Sequence, residues 1–174
     1  MYNESVRESV KVMNGSIDGS LYDNRGQRIT IRQCIEADHG QIISFMSSLY
    51  GEDPSEAVSE THFIRTLQLL QDSDCRGVCH VLCENEELIG YSLLIPYLSN
   101  EFGGSVVFVD ELYVVPARRR RGIAEAYLRF LKEVRPYDAR ALMLETTTHN
   151  LNAARLYSRV GFSVYKNQHW LMEC

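Results

Sequence analysis

The chain has 174 residues, 45% of them hydrophobic, which suits one globular domain with a substantial core. With 18 Lys and Arg against 23 Asp and Glu, the net charge of −5 argues against a protein-wide nucleic-acid-binding surface, and we predict no nucleic-acid partner. Apolar runs are shorter than the roughly 18 residues of a membrane span and the polar start is unlike a signal peptide, so we expect a cytoplasmic protein without a membrane partner.

Apolar periodicity and turn residues divide the chain into strands and helices. Residues 1–27 show only weak periodicity, and we predict that they form an N-terminal extension, mobile or partner-dependent, ahead of one domain at 28–174. The predicted strands of that domain are 28–32, 77–83, 88–95, 106–115, 141–146, 163–166 and 169–172. The predicted helices are 38–50, 56–70, 122–135 and 150–160. This order predicts a mixed α/β fold.

Five cysteines raise the question of a metal site, because Cys75, Cys79 and Cys83 are four residues apart and His80 lies among them. This spacing is not the C-x-x-C pattern of common zinc sites. Strand alternation instead places Cys79, Val81 and Cys83 on one face, where small buried side chains are usual. We therefore predict no metal.

A basic, glycine-bearing turn joins the strand 106–115 to a helix. Pro116 ends the strand because it lacks the amide that a central ladder needs, and four arginines at 118–121 precede Gly122. A helix N-terminus attracts anions, glycine lets the backbone approach them, and arginine adds forked donors. The pattern predicts a pyrophosphate-binding loop; a solvated basic face or a nucleic-acid contact would use the same residues.

A second pattern lies in residues 150–162, which have the apolar spacing of an amphipathic helix. Asn150 can cap its start, and Gly161 is placed for a left-handed stop. Tyr157 lies seven residues after Asn150, so both side chains share one side if helical geometry extends that far. Taken singly, Tyr157 would be a core tyrosine and Asn150 an ordinary cap.

Together the two patterns resemble the GNAT superfamily of N-acetyltransferases. Its cofactor loop, Arg/Gln-x-x-Gly-x-Gly/Ala, is matched by Arg119, Arg120, Arg121, Gly122, Ile123 and Ala124, with Arg120 where many relatives carry a second glycine. Its later motif is matched by Asn150, Ala153, Leu156, Tyr157, Gly161 and Phe162. Residues 99–104 and 108–114 look like a bacterial subgroup of small acetyltransferases.

The resemblance implies a mixed, mostly antiparallel central sheet flanked by helices, with acetyl-CoA as cosubstrate and no metal. It also implies that the strand around Leu112, Tyr113 and Val114 splays from its neighbour and leaves backbone amides for the thioester carbonyl and the pantetheine arm. The other cofactor-binding residues that it implies are Arg119, Arg120, Arg121, Gly122, Ile123, Ala124, Asn150 and Tyr157.

Direct acetyl transfer to an amine needs a base for the amine and is helped by an acid for the departing sulfur. Tyr157, with an ordinary phenol pKa of about 10, can protonate a thiolate whose acid has a pKa of about 8.5. By resemblance, Glu111 is the best-placed carboxylate to take the proton of the amine, with its pKa raised by burial. In a regular strand the neighbouring Asp110 faces the opposite side.

The expected acceptor is an amine of a small molecule or peptide, bound between the first two helices and the loop 98–104. Four carboxylates would make the entrance of this site an acidic mouth, which favours a cationic acceptor: Glu52, Asp53, Glu101 and Glu111. Two other functions stay open: a non-catalytic CoA-binding sensor, and a nucleic-acid-binding module that uses residues 118–121. A monomer and a homodimer are both compatible with the sequence.

Overall fold

The computed structural model describes residues 11–13, 16–52, 58–71, 76–165 and 172. Its strands form one sheet in chain order, and every neighbouring pair is antiparallel except the last, which is parallel: β1 (Lys11–Met13), β2 (Ser16–Tyr22), β3 (Arg28–Gln33), β4 (Val78–Glu84), β5 (Glu87–Ser99), β6 (Gly104–Val114) and β7 (Ala141–Met143). The described α-helices are α1 (His39–Glu52), α2 (Glu60–Gln71), α3 (Ile123–Val134) and α4 (Leu151–Val160). The predicted mixed, mostly antiparallel sheet flanked by helices is confirmed.

Helices cover the two faces of the sheet with separate apolar clusters. On the α3/α4 face, Tyr127 and Leu128 of α3 belong to the same buried cluster as Val107 of β6. On the α1/α2 face, Phe45 of α1 packs in a cluster with Leu93 of β5. This second cluster also holds Cys79, Val81 and Cys83, which confirms the predicted alternation of β4. None of the described helices is long and apolar enough to cross a membrane.

The ladder between β5 and β6 contains a bulge. Leu93 pairs with Glu111 and Leu94 pairs with Val109, so Asp110 is the extra residue on β6. Asp110 is consequently exposed while Glu111 is buried.

Strand β6 lies very close to β5 but separates from β7. A Cβ on Gly90 of β5 would overlap the carbonyl oxygen of Tyr113, so only glycine allows the two strands to approach this closely. On the other side, β7 pairs with β6 only as far as Phe108, which lies opposite Met143. Within the described residues, the edge of β6 from Val109 to Val114 therefore has no strand beside it.

The structure corrects three boundaries. The sheet does not begin at residue 28, because β2 pairs with β3 and its Ile17 and Leu21 are buried in the α3/α4 cluster. Strand β7 ends at Met143, earlier than the predicted 146, where β6 diverges. Residues 163–165 are not in a strand. The rest of the two predicted terminal strands, apart from Met172, lies outside the described residues, as do 53–57, which include the start of the predicted second helix.

Candidate active site

The basic loop enters α3 with a backbone that is open to an anion. Arg120 has φ 60° and Gly122 has φ 75°, both left-handed, and Gly122 is the N-cap of α3 without a side chain to cap the helix. The first amides of a helix have no acceptor within it, so those that follow Gly122 can bind phosphate oxygens. A non-glycine residue in this conformation costs about 1 kcal/mol, which Arg120 bears. The loop therefore fits a pyrophosphate.

The guanidinium of Arg121 does not face this opening. Its side chain is buried, its Nε donates to Oδ2 of Asp23 at 2.6 Å, and its two terminal nitrogens donate to Glu84. Hydrogen bonds from Arg121 lower the pKa of Glu84 against the opposing effect of burial. The expectation that the Arg121 side chain binds a phosphate is thus not met; its charge is neutralised inside the protein.

The turn between β2 and β3 holds the basic loop in place. Oδ1 of Asp23 accepts the amides of Arg25 and Gln27 at 2.9 and 2.8 Å, and the amide of Asn24 donates to the carbonyl of Arg121 at 2.9 Å. Burial acts to raise the pKa of Asp23, but these hydrogen bonds and Arg121 outweigh it and lower the pKa. Residues assigned by sequence to the extension therefore support the candidate phosphate site.

The other arginines of the loop differ in their contacts. Arg119 donates to Glu52 at 2.9 and 2.5 Å, its Nε donates to the carbonyl of Val114 at 2.7 Å, and its guanidinium lies over the ring of Tyr113. Arg118 lies 2.6 Å from Glu84, where its Nε–H is not aligned for a hydrogen bond, and it also contacts Glu87. Arg120 is exposed and has no ion pair with any described residue. No described carboxylate therefore neutralises its charge.

Backbone amides of β6 face the gap left by β7. The amide of Val115 donates to the carbonyl of Ile89 on β5, and alternate residues of an antiparallel strand point to the same neighbour. Tyr113 and Glu111 therefore direct their backbone groups to β5. Leu112 and Val114 direct theirs to the open edge, where the Val114 carbonyl accepts from Arg119. This is the geometry expected for a splayed strand.

Glu111 is a buried carboxylate held by two tyrosines. Its side chain lies on the α1/α2 face with 8% of the residue exposed. Tyr50 of α1 donates to Oε1 at 2.9 Å, and Tyr91 of β5 donates to Oε2 at 2.6 Å. Burial raises the pKa of Glu111, although both hydroxyl donors oppose the rise. A carboxylate with a raised pKa and polar neighbours is suited to accept a proton near neutral pH.

Tyr157 lies on the opposite face of the sheet. Its ring packs against the α3/α4 cluster and meets Phe162 edge-on at 6.0 Å between ring centroids. Burial raises the pKa of its phenol, and its hydroxyl has no hydrogen-bond partner among the described residues. Leu112, Ala124 and Tyr157 all border this cluster, so the open strand, the start of α3 and the phenol lie on the same face of the sheet.

Asn150 is the N-cap of α4. Its Oδ1 accepts the amide of Ala153 at 3.1 Å, and Gly161 ends the helix with φ 108°, as both residue types predicted. The side-chain amide of Asn150 keeps its two donor hydrogens for another contact.

One described carboxylate of the acidic mouth that the sequence predicts is neutralised by a cation. Glu52 pairs with Arg119, Glu101 accepts a hydrogen bond from Tyr165 at 2.5 Å, and Glu111 is buried. Asp53 lies outside the described residues. Asp110 is exposed beside the gap. Among the described residues, no group of three or more His, Cys, Asp or Glu is arranged to hold a metal ion.

A cavity of about 230 Å³ lies away from the basic loop. It is lined by residues at the C-terminal ends of α3 and α4 and at the start of β7, among them Leu131, Arg135, Leu142 and Phe162. The basic loop is at the other end of α3, so this cavity is not the candidate phosphate site.

Several residues of the site carry no motif in the sequence. Tyr50 and Tyr91 hold Glu111 from a helix and a neighbouring strand, 61 and 20 residues away in the chain. Asp23 and Glu84 hold Arg121 across 98 and 37 residues. The sequence signal for Asp23 and Glu84 is weak: each is an acidic residue directly before a turn. Their role depends on tertiary pairing with Arg121, which the local sequence does not show.

Comparison with known proteins defines the class to which this fold and site belong. The sequence model of the acetyltransferase (GNAT) family matches residues 43–162, so the chain belongs to this family of enzymes. An uncharacterized N-acetyltransferase of Bacillus subtilis (strain 168), YhfO, is 32% identical over 80 residues, which are 45% of this chain and 54% of the relative. The chain thus spans about half the length of the curated relative that it matches.

Solved structures share the fold. A possible acetyltransferase from Clostridium difficile 630 superposes with a TM-score of 0.75 at 18% identity, covering 84% of this chain and 97% of the other. An aminoglycoside N-acetyltransferase in complex with CoA has a TM-score of 0.69 at 16% identity, covering 86% and 97%. At these identities the likeness concerns the fold alone.

Proposed function

We propose that this protein is an N-acetyltransferase that moves an acetyl group from acetyl-CoA directly to an amine of a small molecule or peptide. One observation carries the proposal: the open edge of β6 leads through a glycine-bearing loop to the uncapped start of α3. The start of α3 can bind an anion, and the amides along the open edge of β6 lead away from it. This arrangement suits a long ligand with a diphosphate at one end and a carbonyl at the other.

The chain's own groups would hold the diphosphate. Amides after Gly122 point at one spot, the helix dipole adds partial positive charge there, and Arg120 supplies a formal charge. Acetyl-CoA brings the acetyl group as a thioester, whose acyl carbon is open to attack by an amine. The amide of Asn150 and the amides of Leu112 and Val114 would position the rest of the molecule along the gap.

The amide of Leu112 is the donor best placed for the carbonyl oxygen of the thioester. It faces the gap between β6 and β7, and Glu111, the proposed base, precedes it directly in β6. As the amine nitrogen bonds to the acyl carbon, the oxygen becomes negative, and a fixed N–H stabilises that charge by about 3 kcal/mol.

Glu111 would take the proton of the attacking amine. The half-buried Tyr50 contacts the carboxylate directly and lies on α1, one of the two helices expected to line the acceptor site, so its hydroxyl can relay the proton. The raised pKa of Glu111 favours this role, because an effective base has a pKa near the working pH.

Tyr157 would protonate the departing sulfur. When the carbon–sulfur bond breaks, the thiolate receives the phenol proton and free CoA leaves as a thiol; the phenolate then regains a proton from solvent. Burial raises the pKa of Tyr157, so the phenol is protonated at neutral pH, and it is a weaker acid toward the thiolate than an ordinary tyrosine.

The structure bears on the two rival functions. A nucleic-acid contact through the basic loop is disfavoured, because Arg118, Arg119 and Arg121 are each paired with carboxylates of the same chain. A CoA-binding sensor would keep the loop but has no use for a buried carboxylate held by two tyrosines. The acceptor class stays open, since Glu52 of the predicted acidic mouth is paired with Arg119 and Glu111 is buried.

A thiol-release assay tests the proposal. Acetyl-CoA is offered with a panel of polyamines, aminoglycosides, peptides with free N-termini and neutral aryl amines, and binding of CoA is measured separately by calorimetry. The proposal expects CoA binding, and thiol release that depends on one amine class and is matched by its N-acetyl product. CoA binding without release for any amine would favour the sensor, and absence of CoA binding would overturn the proposal.

A further inference from the structure

A buried polar chain runs from the interior of the sheet to the peptide bond between Glu111 and Leu112. Ser92 of β5 is fully buried, and its hydroxyl donates to the carbonyl of Glu111 at 2.8 Å. Tyr127 of α3 and His80 of β4 are also fully buried, and Nδ1 of His80 lies 2.9 Å from the Tyr127 hydroxyl. The Tyr127 hydroxyl is in turn in side-chain hydrogen-bond contact with Ser92. No step of the proposed reaction uses these three residues.

The series of hydrogen bonds ends at the carbonyl side of a planar peptide group. The carbonyl of Glu111 and the amide N–H of Leu112 belong to the same trans peptide group, so they point in opposite directions and move together. Ser92 holds the carbonyl on the side of β5. The N–H of Leu112 is therefore directed into the gap between β6 and β7.

The hydrogen bond from Ser92 to Glu111 lies directly beside the bulge. At Asp110 the ladder between β5 and β6 changes register, and a bulge locally disrupts the pairing and increases the twist. The peptide that follows Glu111 is the first after the irregularity and has no strand on its other side within the described residues. A hydroxyl anchored by two further buried groups limits the rotation of that peptide.

We infer that Ser92, supported by Tyr127 and His80, is a positioning residue that orients and polarises the Leu112 N–H as the oxyanion donor. A hydrogen bond to the carbonyl of an amide withdraws electron density and strengthens its N–H as a donor, and chains of such bonds reinforce one another. A buried hydroxyl also keeps its hydrogen bond, because leaving the donor unpaired would cost free energy. The inference rests on the proposed acetyl transfer.

Three variants separate this role from a structural one. Ser92→Ala removes the donor to the Glu111 carbonyl, and Tyr127→Phe leaves Ser92 in place but removes its support. Thr30→Val is the matched control, because the Thr30 hydroxyl also donates to a strand carbonyl, that of Cys83 at 3.4 Å, on β4 and away from the bulge. Calorimetry with CoA and thermal unfolding show that each variant is folded and binds.

With acetyl-CoA and the amine found in the panel, Ser92→Ala should lower kcat about tenfold, less than the 10²-fold or more that follows loss of an oxyanion donor itself. The KM for acetyl-CoA and the Kd of CoA should change less than twofold, because ground-state binding is retained. Tyr127→Phe should lower kcat by a smaller factor, and Thr30→Val should leave it unchanged.

A second readout does not depend on turnover. In the ligand-free protein, the Leu112 amide proton should move upfield in the NMR spectrum of Ser92→Ala and, to a smaller extent, of Tyr127→Phe, while Thr30→Val leaves it in place. With acetyl-CoA labelled with ¹³C at the carbonyl and no amine present, the bound carbonyl signal should move upfield in the same order. Both shifts report weaker donation by the same N–H.

The outcomes are distinguishable. A wild-type protein that binds no CoA overturns the proposed function, while the Leu112 signal still decides whether Ser92 polarises its amide. Suppose that the wild-type protein transfers acetyl groups, while Ser92→Ala keeps the wild-type kcat and the wild-type chemical shift of the Leu112 amide proton. This result overturns the inference about Ser92 and leaves the proposed function standing. If Ser92→Ala does not fold, Tyr127→Phe decides by the same measurements.

Discussion

Glu111 and Tyr157 lie on opposite faces of the sheet. The carboxylate of Glu111 is buried on the α1/α2 face between Tyr50 and Tyr91, whereas Tyr157 packs on the α3/α4 face. The gap between β6 and β7 connects the two sides. In the proposed reaction, the acceptor amine and the acyl donor would approach the thioester carbonyl from opposite sides of the sheet, the amine from the side of Glu111 and the sulfur from the side of Tyr157.

Tyr157→Phe should lower turnover about 10²-fold without abolishing it, because a thiolate can leave unaided and the loss is at the lower end for acid catalysis. Stability should hardly change, since the hydroxyl has no partner among the described residues and the edge-on contact with Phe162 is kept by a phenyl ring. Thiol release and thermal unfolding measure the two effects.

The matched control is Tyr22→Phe, which removes an exposed hydroxyl on β2 and should keep wild-type turnover. Wild-type turnover in Tyr157→Phe itself would remove the assignment of the acid.

Glu111→Gln should lower the rate by about 10² or more and remove the acidic limb of the pH–rate profile. Its effect on the free energy of unfolding should depend on pH. Because burial raises the pKa of Glu111, the folded protein binds a proton more tightly than the unfolded chain, and stability falls as the pH rises from the unfolded pKa through the folded one. The neutral amide should remove this pH dependence, while its NH2 group cannot accept the hydroxyl of one of the two tyrosines, which costs about 1–3 kcal/mol at every pH.

Urea denaturation across this pH window measures the second effect. Glu101→Gln is the control: it also replaces a carboxylate that accepts a tyrosine hydroxyl, but an exposed one, and the pH dependence of stability should stay as in the wild type. An unchanged acidic limb in Glu111→Gln would assign the base to another group.

The sequence predicted elements that depend on local chemistry. The end of β6 at Val114 follows from the proline at position 116, and the limits of α4 follow from Asn150 and Gly161, whose cap and left-handed stop the structure reproduces. The periodicity of α3 predicted the face that it buries, including Ile123 and Tyr127. In each case the information lies within a few residues of the feature.

What the sequence could not supply depends on distant partners. Four consecutive arginines look alike in a sequence, but Asp23 and Glu84 draw Arg121 inside, Glu52 takes Arg119, and Arg120 stays exposed. Nor could periodicity predict the bulge at Asp110 or the hold of Ser92 on Glu111. Local pattern placed the loop correctly, whereas tertiary pairing decided which charge is available to a ligand.

Arg121→Met and Arg120→Gln should therefore have different effects. Arg121→Met leaves buried carboxylates at Asp23 and Glu84 short of their cation and should destabilise the protein by about 3 kcal/mol or more. Since the pKa of both carboxyl groups is lowered in the folded protein, this contribution is present above their unfolded pKa values and is lost as the pH falls through the folded ones. The difference from wild type should shrink in acid.

Arg120→Gln should leave stability unchanged and weaken CoA binding about fivefold, as expected for an exposed ion pair worth about 1 kcal/mol. Urea denaturation and calorimetry of both variants check the contrast. If both variants lose the same affinity for CoA after correction for the fraction of folded protein, Arg121 also reaches the ligand.

Glu52→Gln should tighten CoA binding. In the free protein Glu52 holds the guanidinium of Arg119 through two hydrogen bonds and competes with any phosphate for that charge. Both side chains are substantially exposed, so the pair is worth at most about 1 kcal/mol and the gain in affinity should not exceed about fivefold. The gain should disappear near 1 M salt, where the Debye length falls to about 3 Å. Calorimetry at low and high salt measures it.

Glu87→Gln is the control for this change, because Glu87 forms a similar exposed pair with Arg118 outside the cofactor motif, and its removal should leave the Kd unchanged. Weaker binding in Glu52→Gln would instead mean that the pair orients Arg119 for the ligand. In that event the contacts of Arg119 with the Val114 carbonyl and the Tyr113 ring are not sufficient to hold it.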